Sequence, residues 1–173
     1  MRNVQRLGWR GAYLLAALGV YLADQASKAW AVRRLMHGTG VEAVPGFLRF
    51  DYATNPGIAF GQFQKGGEFG RWMLAGLAVA ALVAVLVYLL RTPRTDDRVL
   101  GACALLLAGI AGNLTDRIRL GHVIDFIEVH LGSFQWPSFN VADAAICVGA
   151  GLFALDIILE GRQKVPKAVT SDE

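Results

Sequence analysis

Apolar residues fall into four long runs, at about residues 11–32, 72–90, 99–117 and 141–159. Each is close to the roughly 20 residues that a helix needs to cross a bilayer. The second run carries no charge at all over residues 73–90. The first follows Arg2, Arg6 and Arg10, as the apolar core of a secretory leader would. No A-x-A site closes it, however, and apolar residues continue through Ala29, Trp30, Ala31 and Val32, so it reads as a retained span. The pattern predicts one membrane-embedded domain over residues 1–161 and a polar, disordered cytoplasmic tail over 162–173.

Basic residues orient the spans. Arg2, Arg6 and Arg10 precede the first, Arg91, Arg94 and Arg98 fill the link between the second and third, and Arg162, Lys164 and Lys167 follow the fourth. An even number of crossings puts these clusters on one side, and the positive-inside bias makes that side cytoplasmic, with both termini. Residues 33–71 and 118–140 then lie outside. In the first of these segments, Phe47 to Thr54 mixes aromatic and β-branched residues with charges between Pro-Gly pairs, which predicts a small sheet. In the second, Ile124 to Leu131 is expected to be a short interfacial helix or turn. The expected fold is an all-α membrane protein with four transmembrane helices, a small extracytoplasmic β-sheet and a short interfacial helix.

Composition supports this picture. With 54% hydrophobic and 18% charged residues, the chain is more apolar than an ordinary soluble domain. The net charge of +3 sits in short clusters beside the spans, which fits topology signals and excludes a nucleic-acid footprint. Cys103 and Cys147 lie inside apolar runs and are expected to be buried, inert thiols. His37, His122 and His130 have no ligand spacing, so neither a metal nor a cofactor is expected.

Depth brings the polar residues together. At 1.5 Å per residue, Asp24 and Lys28 stand roughly 20–25 Å above Gly11, near the outer end of the first span. Asn113, Asp116 and Arg117 close the third span, Asn140 and Asp143 open the fourth, and Asp125 lies between. Each group has a plain structural reading. Asp24 and Lys28 form an i, i+4 pair, and Asp143 is a first-turn acid behind an Asn140 cap. Asp116 beside Arg117 can anchor a helix end, Asn55 belongs to an Asn-Pro-Gly turn, and Asp156 has no companion at its level. Charges inside spans are costly unless they face one another or a cavity, so a shared polar site at the outer rim explains the set with one cause. Two close carboxylates that share a proton can hydrolyse a peptide without serine, cysteine or metal. By spacing alone, Asp116 and Asp125 compete as the partner of Asp143. The recurring Ala108, Gly109, Gly112, Ala145 and Gly149 suit close helix packing.

The segments Asp24-Gln25-Ala26-Ser27-Lys28, Asn55-Pro56-Gly57-Ile58-Ala59-Phe60, Gly112-Asn113-Leu114-Thr115-Asp116-Arg117, Val123-Ile124-Asp125-Phe126 and Phe139-Asn140-Val141-Ala142-Asp143 resemble, in order and spacing, the signature boxes of the lipoprotein signal peptidases. That resemblance implies an aspartic endopeptidase of the bacterial cytoplasmic (inner) membrane. Its substrate would be a prolipoprotein carrying a diacylglyceryl-modified Cys, cut on the amino side of that Cys, with membrane lipids as the other partners and a monomer as the acting species. It implies Asp125 and Asp143 as the catalytic pair. Asn55, Gly57, Asn113, Arg117 and Asn140 would bind substrate or order the site, Asp116 would support Arg117, and Asp24 and Lys28 would brace its edge. The rival reading is a small transporter with an acidic proton or ion relay. It would place its acids near the midplane rather than at one rim.

Overall fold

The computed structural model describes residues 2–57, 67–93 and 96–163. Of the tail expected over residues 162–173, Arg162 and Gln163 still belong to the last helix and the rest lies outside the described residues, as do Ile58, Ala59 and Phe60 of the second motif. Eight elements follow in chain order: α1 (Arg2–Leu35), β1 (Val41–Val44), β2 (Leu48–Asn55), α2 (Gly67–Arg91), α3 (Asp97–Leu120), β3 (Val123–Leu131), β4 (Phe134–Phe139) and α4 (Val141–Gln163).

Helix α3 is the axis of the bundle, with α1, α2 and α4 packed around it. In its apolar stretch 61% of the residues are buried, against 11% in α2 and 17% in α4, so the outer helices present their Leu, Val and Ile side chains outward. Among the described residues three helices have the length and hydropathy to cross a membrane: Glu68–Arg91, Asp97–Leu120 and Val141–Leu159. With 34 residues α1 is long enough, but Asp24, Lys28 and the basic pair Arg33 and Arg34 dilute its apolar character.

Small residues let α3 and α4 touch. A Cβ at Gly109 would run into the Ala142 carbonyl and the Ile146 side chain, and one at Gly149 would lie 3.0 Å from the Ala102 carbonyl oxygen. This close approach brings the start of α4 against the C-terminal half of α3. At the other end of the bundle, Arg10 Nη2 donates to the Thr92 carbonyl at 2.9 Å, and Arg98 Nη2 lies 3.7 Å from Asp156 Oδ1. The start of α1, the α2–α3 link and the end of α4 therefore share one end. Asp156, expected to stand alone, has Arg98 as its companion, because α4 returns to the level at which α3 begins.

The sheet caps the opposite end. Its order is β1-β2-β3-β4, antiparallel throughout. The strand expected after Pro45-Gly46 is β2, and β1 pairs with it in a hairpin. The interfacial helix expected over residues 124–131 is not formed: that segment is β3, paired with β2 from Leu48–Val129 to Asn55–Val123 and hairpinned to β4 through Gly132 at φ 64. The reason is local. Ile124, Phe126, Ile127 and Val129 suit a strand, and Gly121 at φ 83 ends α3 with a left-handed cap two residues before the strand begins. A lone two-stranded hairpin is marginal, so β2 also gains from β3 as a second partner. The sheet rests on the end of α1 through Ala31, Leu35, Ile124 and Phe126, where Trp30 meets Phe50 edge-on at 5.7 Å. Cys103 is buried as expected, whereas Cys147 is exposed on α4, whose apolar outer side does not need covering in a membrane.

Gly109→Val should cost about 1–3 kcal/mol by overpacking the α3–α4 contact. Gly151→Ala, where nothing lies within 4 Å of the added carbon, should be neutral or stabilising by up to about 1 kcal/mol. Thermal unfolding of the two variants in detergent checks this; equal stability of both would contradict the packing.

Candidate active site

Every rim residue named from the sequence comes to the sheet end of the bundle, but they divide into two groups. The first is an ion cluster around Lys28, which is 2% exposed. Its ammonium contacts Asp24 Oδ2 and Asp116 Oδ2, each at 2.9 Å, and donates to Asn113 Oδ1 at 3.0 Å. The other acceptor sites of the two aspartates are also taken. Asp24 Oδ1 accepts the Ala142 backbone N–H at 2.9 Å, and Asp116 Oδ2 accepts that of Ile124 at 3.2 Å. Gln25 Nε2 donates to both carboxylates and to the Gly112 carbonyl. A Cβ at Gly112 would stand 2.5 Å from Asp24 Oδ2, so glycine is needed for the approach. Asp116 thus pairs with Lys28, not with its neighbour Arg117 as the sequence suggested. Successive helical residues point about 100° apart, and only Asp116 faces α1.

The second group holds Asp125 and Asp143. Asn140 joins them: its Nδ2 donates to Asp125 Oδ1 at 2.7 Å, its Oδ1 accepts the Asp143 N–H at 2.9 Å, and its own N–H reaches Asp143 Oδ2 at 3.2 Å. The last two bonds form a reciprocal N-terminal cap on α4, so the plain reading of Asp143 as a capping acid is true and incomplete. Its Oδ1 accepts Asn113 Nδ2 at 2.7 Å. Asn55 Nδ2 donates to Asp125 Oδ2 at 3.0 Å, while its Oδ1 accepts the Gly57 N–H at 2.8 Å. Gly57 has φ 79, and a Cβ there would strike Leu74 and lie 3.4 Å from Arg117 Nη2.

Asn113 connects the two groups, and its orientation is forced. Its oxygen accepts from Lys28 and from Asn140 Nδ2, leaving its amide nitrogen to serve Asp143. A flipped amide would set donors against an ammonium. Burial pushes the Asp125 carboxyl up to about 6. The Asn55 hydrogen bond opposes this, the Asp143 charge adds to it, and Asn140 and Lys28 oppose it more weakly.

Arg117 lies along Gly57, with Nη1 3.4 Å from the Asn113 carbonyl and a buried Nε that has no hydrogen-bond partner among the described residues. Arg71, which the sequence reading passed over, ties α2 to the end of α3. Its Nε donates to the Arg117 carbonyl at 2.8 Å and its Nη2 to the Ile118 carbonyl at 2.5 Å. Basic residues at a span edge look like topology signals, so nothing in the sequence distinguished it. Gln25, between Asp24 and Lys28, was legible only as part of a motif.

Fold and site together define a multi-pass helical membrane enzyme. The structure resembles two solved bacterial membrane enzymes, determined by the in meso method at 2.3 and 1.9 Å resolution, each with a TM-score of 0.76. The first is 26% identical, over 92% of this chain and 95% of that one; the second is 27% identical, over 85% and 92%. Residues 16–159 match the profile of the signal peptidase (SPase) II family. A lipoprotein signal peptidase of Cellvibrio japonicus is 39% identical over 147 residues, 85% of this chain and 86% of that one. One of Pseudomonas fluorescens is 42% identical over 153 residues, 88% of each chain. The chain belongs to the signal peptidase II family.

Removing Lys28 leaves Asp24 and Asp116 buried without a counter-charge. Lys28→Met should cost about 3–5 kcal/mol, and Asp24→Asn/Lys28→Met should recover part of it. Thermal unfolding of both variants tests this; an unchanged midpoint for Lys28→Met would show that the cluster does not hold the fold.

Proposed function

We infer that this protein is a lipoprotein signal peptidase that works as an aspartic endopeptidase, with Asp125 and Asp143 as its catalytic pair. Its substrate is a prolipoprotein bearing a diacylglyceryl-modified Cys, cut on the amino side of that residue. The observation that carries the reading is the bridging of Asp125 and Asp143 by one residue, Asn140, while Asp24 and Asp116 are occupied by Lys28. Family membership supports the peptidase reading, and nothing observed favours an ion relay.

In this mechanism Asp143 takes a proton from water as the water oxygen attacks the scissile carbonyl carbon. Asp125, the carboxyl raised to about 6, carries the shared proton and polarises the carbonyl oxygen. When the tetrahedral intermediate collapses, the C–N bond breaks and the proton taken by Asp143 goes to the leaving amine of the lipidated Cys. The half-buried Arg117 guanidinium, beside Gly57, would donate to a substrate carbonyl through its terminal nitrogens. The basic clusters support cytoplasmic termini in a bacterial inner membrane, with four crossings and the site at the outer face. A monomer suffices, since one chain supplies every group named.

Purified protein incubated with a diacylglyceryl-modified prolipoprotein should release a signal peptide, and the unlipidated precursor should remain uncut. Asp125→Asn and Asp143→Asn should each lower turnover by at least about a thousandfold with substrate binding retained, because Asn keeps the shape and removes the acid. Asp116→Asn should act through stability or binding. A folded Asp125→Asn enzyme with near-normal turnover would overturn the assignment.

The pH profile offers a separate check. If Asp125 must be protonated, kcat/KM falls as pH rises through its pKa, about 6 in the free protein. The Asn55 hydrogen bond favours the charged form, so Asn55→Ala should move this alkaline limb to higher pH. An unmoved limb, or one displaced downward, would separate it from Asp125.

A further inference from the structure

The seam between α1 and α3 takes no part in this chemistry, yet it carries two cavities in line. The deeper is an apolar groove of about 340 Å³ lined by Leu14, Leu18, Tyr21, Leu107 and Ala111 among others. The other, about 330 Å³, lies at the rim and is lined by Lys28, Val32, Arg33, Asp116, Arg119 and Leu120. One helix face joins them, since Leu14, Leu18, Tyr21, Gln25, Lys28 and Val32 recur every three or four residues along α1. From Tyr21 to Leu14 the groove descends roughly 10 Å, within the half-thickness of a hydrocarbon core of about 30 Å.

The rim cavity is electropositive. Asp116 shares the Lys28 ammonium with Asp24, which leaves one excess negative charge against the two guanidinium groups of Arg33 and Arg119. Arg33 and Arg119, from different helices, are exposed and enter no ion pair among the described residues. Basic residues in a last helical turn also complement the helix dipole, but Arg34, equally placed for that, does not line the cavity. Two guanidinium groups at the mouth and an apolar channel beneath match a phosphate joined to an acyl chain.

We propose that the α1–α3 seam binds an anionic phospholipid, its phosphate between Arg33 and Arg119 and one acyl chain along Leu14, Leu18 and Leu107. The site is independent of the catalytic reading. Native mass spectrometry of delipidated full-length protein, with phosphatidylglycerol or phosphatidylcholine of the same chains, tests it. Phosphatidylglycerol should be retained at least about tenfold better. Arg33→Gln/Arg119→Gln should abolish that preference, and Arg33→Lys/Arg119→Lys should keep most of it. Leu18→Trp, which fills the groove, should weaken retention of both lipids, and Asp125→Asn should change nothing. Equal retention of the two lipids by the unaltered protein would overturn the proposal. So would a preference that survives the Gln substitutions, or displacement of the lipid by inorganic phosphate at matching concentration.

Discussion

The ammonium of Lys28, buried between Asp24 and Asp116, is the interaction on which the rest of the molecule depends. Charges at such depth are tolerated only when their hydrogen-bonding capacity is filled. Here that requirement links the chain together. Asp24 and Lys28 belong to α1 and Asp116 to α3. The same carboxylates accept N–H groups from Ile124 at the start of β3, on the Asp116 oxygen that also meets Lys28, and from Ala142 in the first turn of α4, on the free Asp24 oxygen. One ion cluster therefore fixes the mutual placement of four elements. It carries two carboxylates against one ammonium, and the excess negative charge faces Gln25 and the N-terminus of α4, where a helix dipole favours an anion.

From this anchor the order passes outward. Lys28 decides which way the Asn113 amide points, Asn113 holds Asp143, and Asn140 spans Asp143 and Asp125. Of the four aspartates in the two groups, Asp24 and Asp116 are held by a cation, and Asp125 and Asp143 by neutral amides. On the proposed mechanism, that difference separates structural carboxylates from those that exchange a proton. It also explains why the Asp125 carboxyl is pushed up to about 6, since its amide partners only partly offset the cost of burial.

Much of this was legible in the sequence because helical depth follows from counting residues. The i, i+4 spacing of Asp24 and Lys28 gave their pairing, and equal heights put Asn113, Asp116, Asn140 and Asp143 at one level. The second outer connection was misread as a helix because its partner strand lies some 75 residues earlier in the chain, and no local period announces a long-range pairing. The Lys28–Asp116 pair was missed for a similar reason: Arg117 is adjacent in sequence, but adjacency on a helix does not mean a shared face. Arg98–Asp156 and Arg71 follow from interhelical packing, which a sequence pattern does not contain.

The central claim is that the cation-held acids are structural and the amide-held pair shares a proton. Infrared difference spectroscopy between acidic and alkaline pH, on the purified protein with isotope-labelled aspartate, addresses this without relying on turnover. The expected result is a protonated-carboxyl band that titrates around pH 6, disappears in Asp125→Asn and persists in Asp116→Asn. A band that survives Asp125→Asn, or is lost in a folded Asp116→Asn protein, would contradict it.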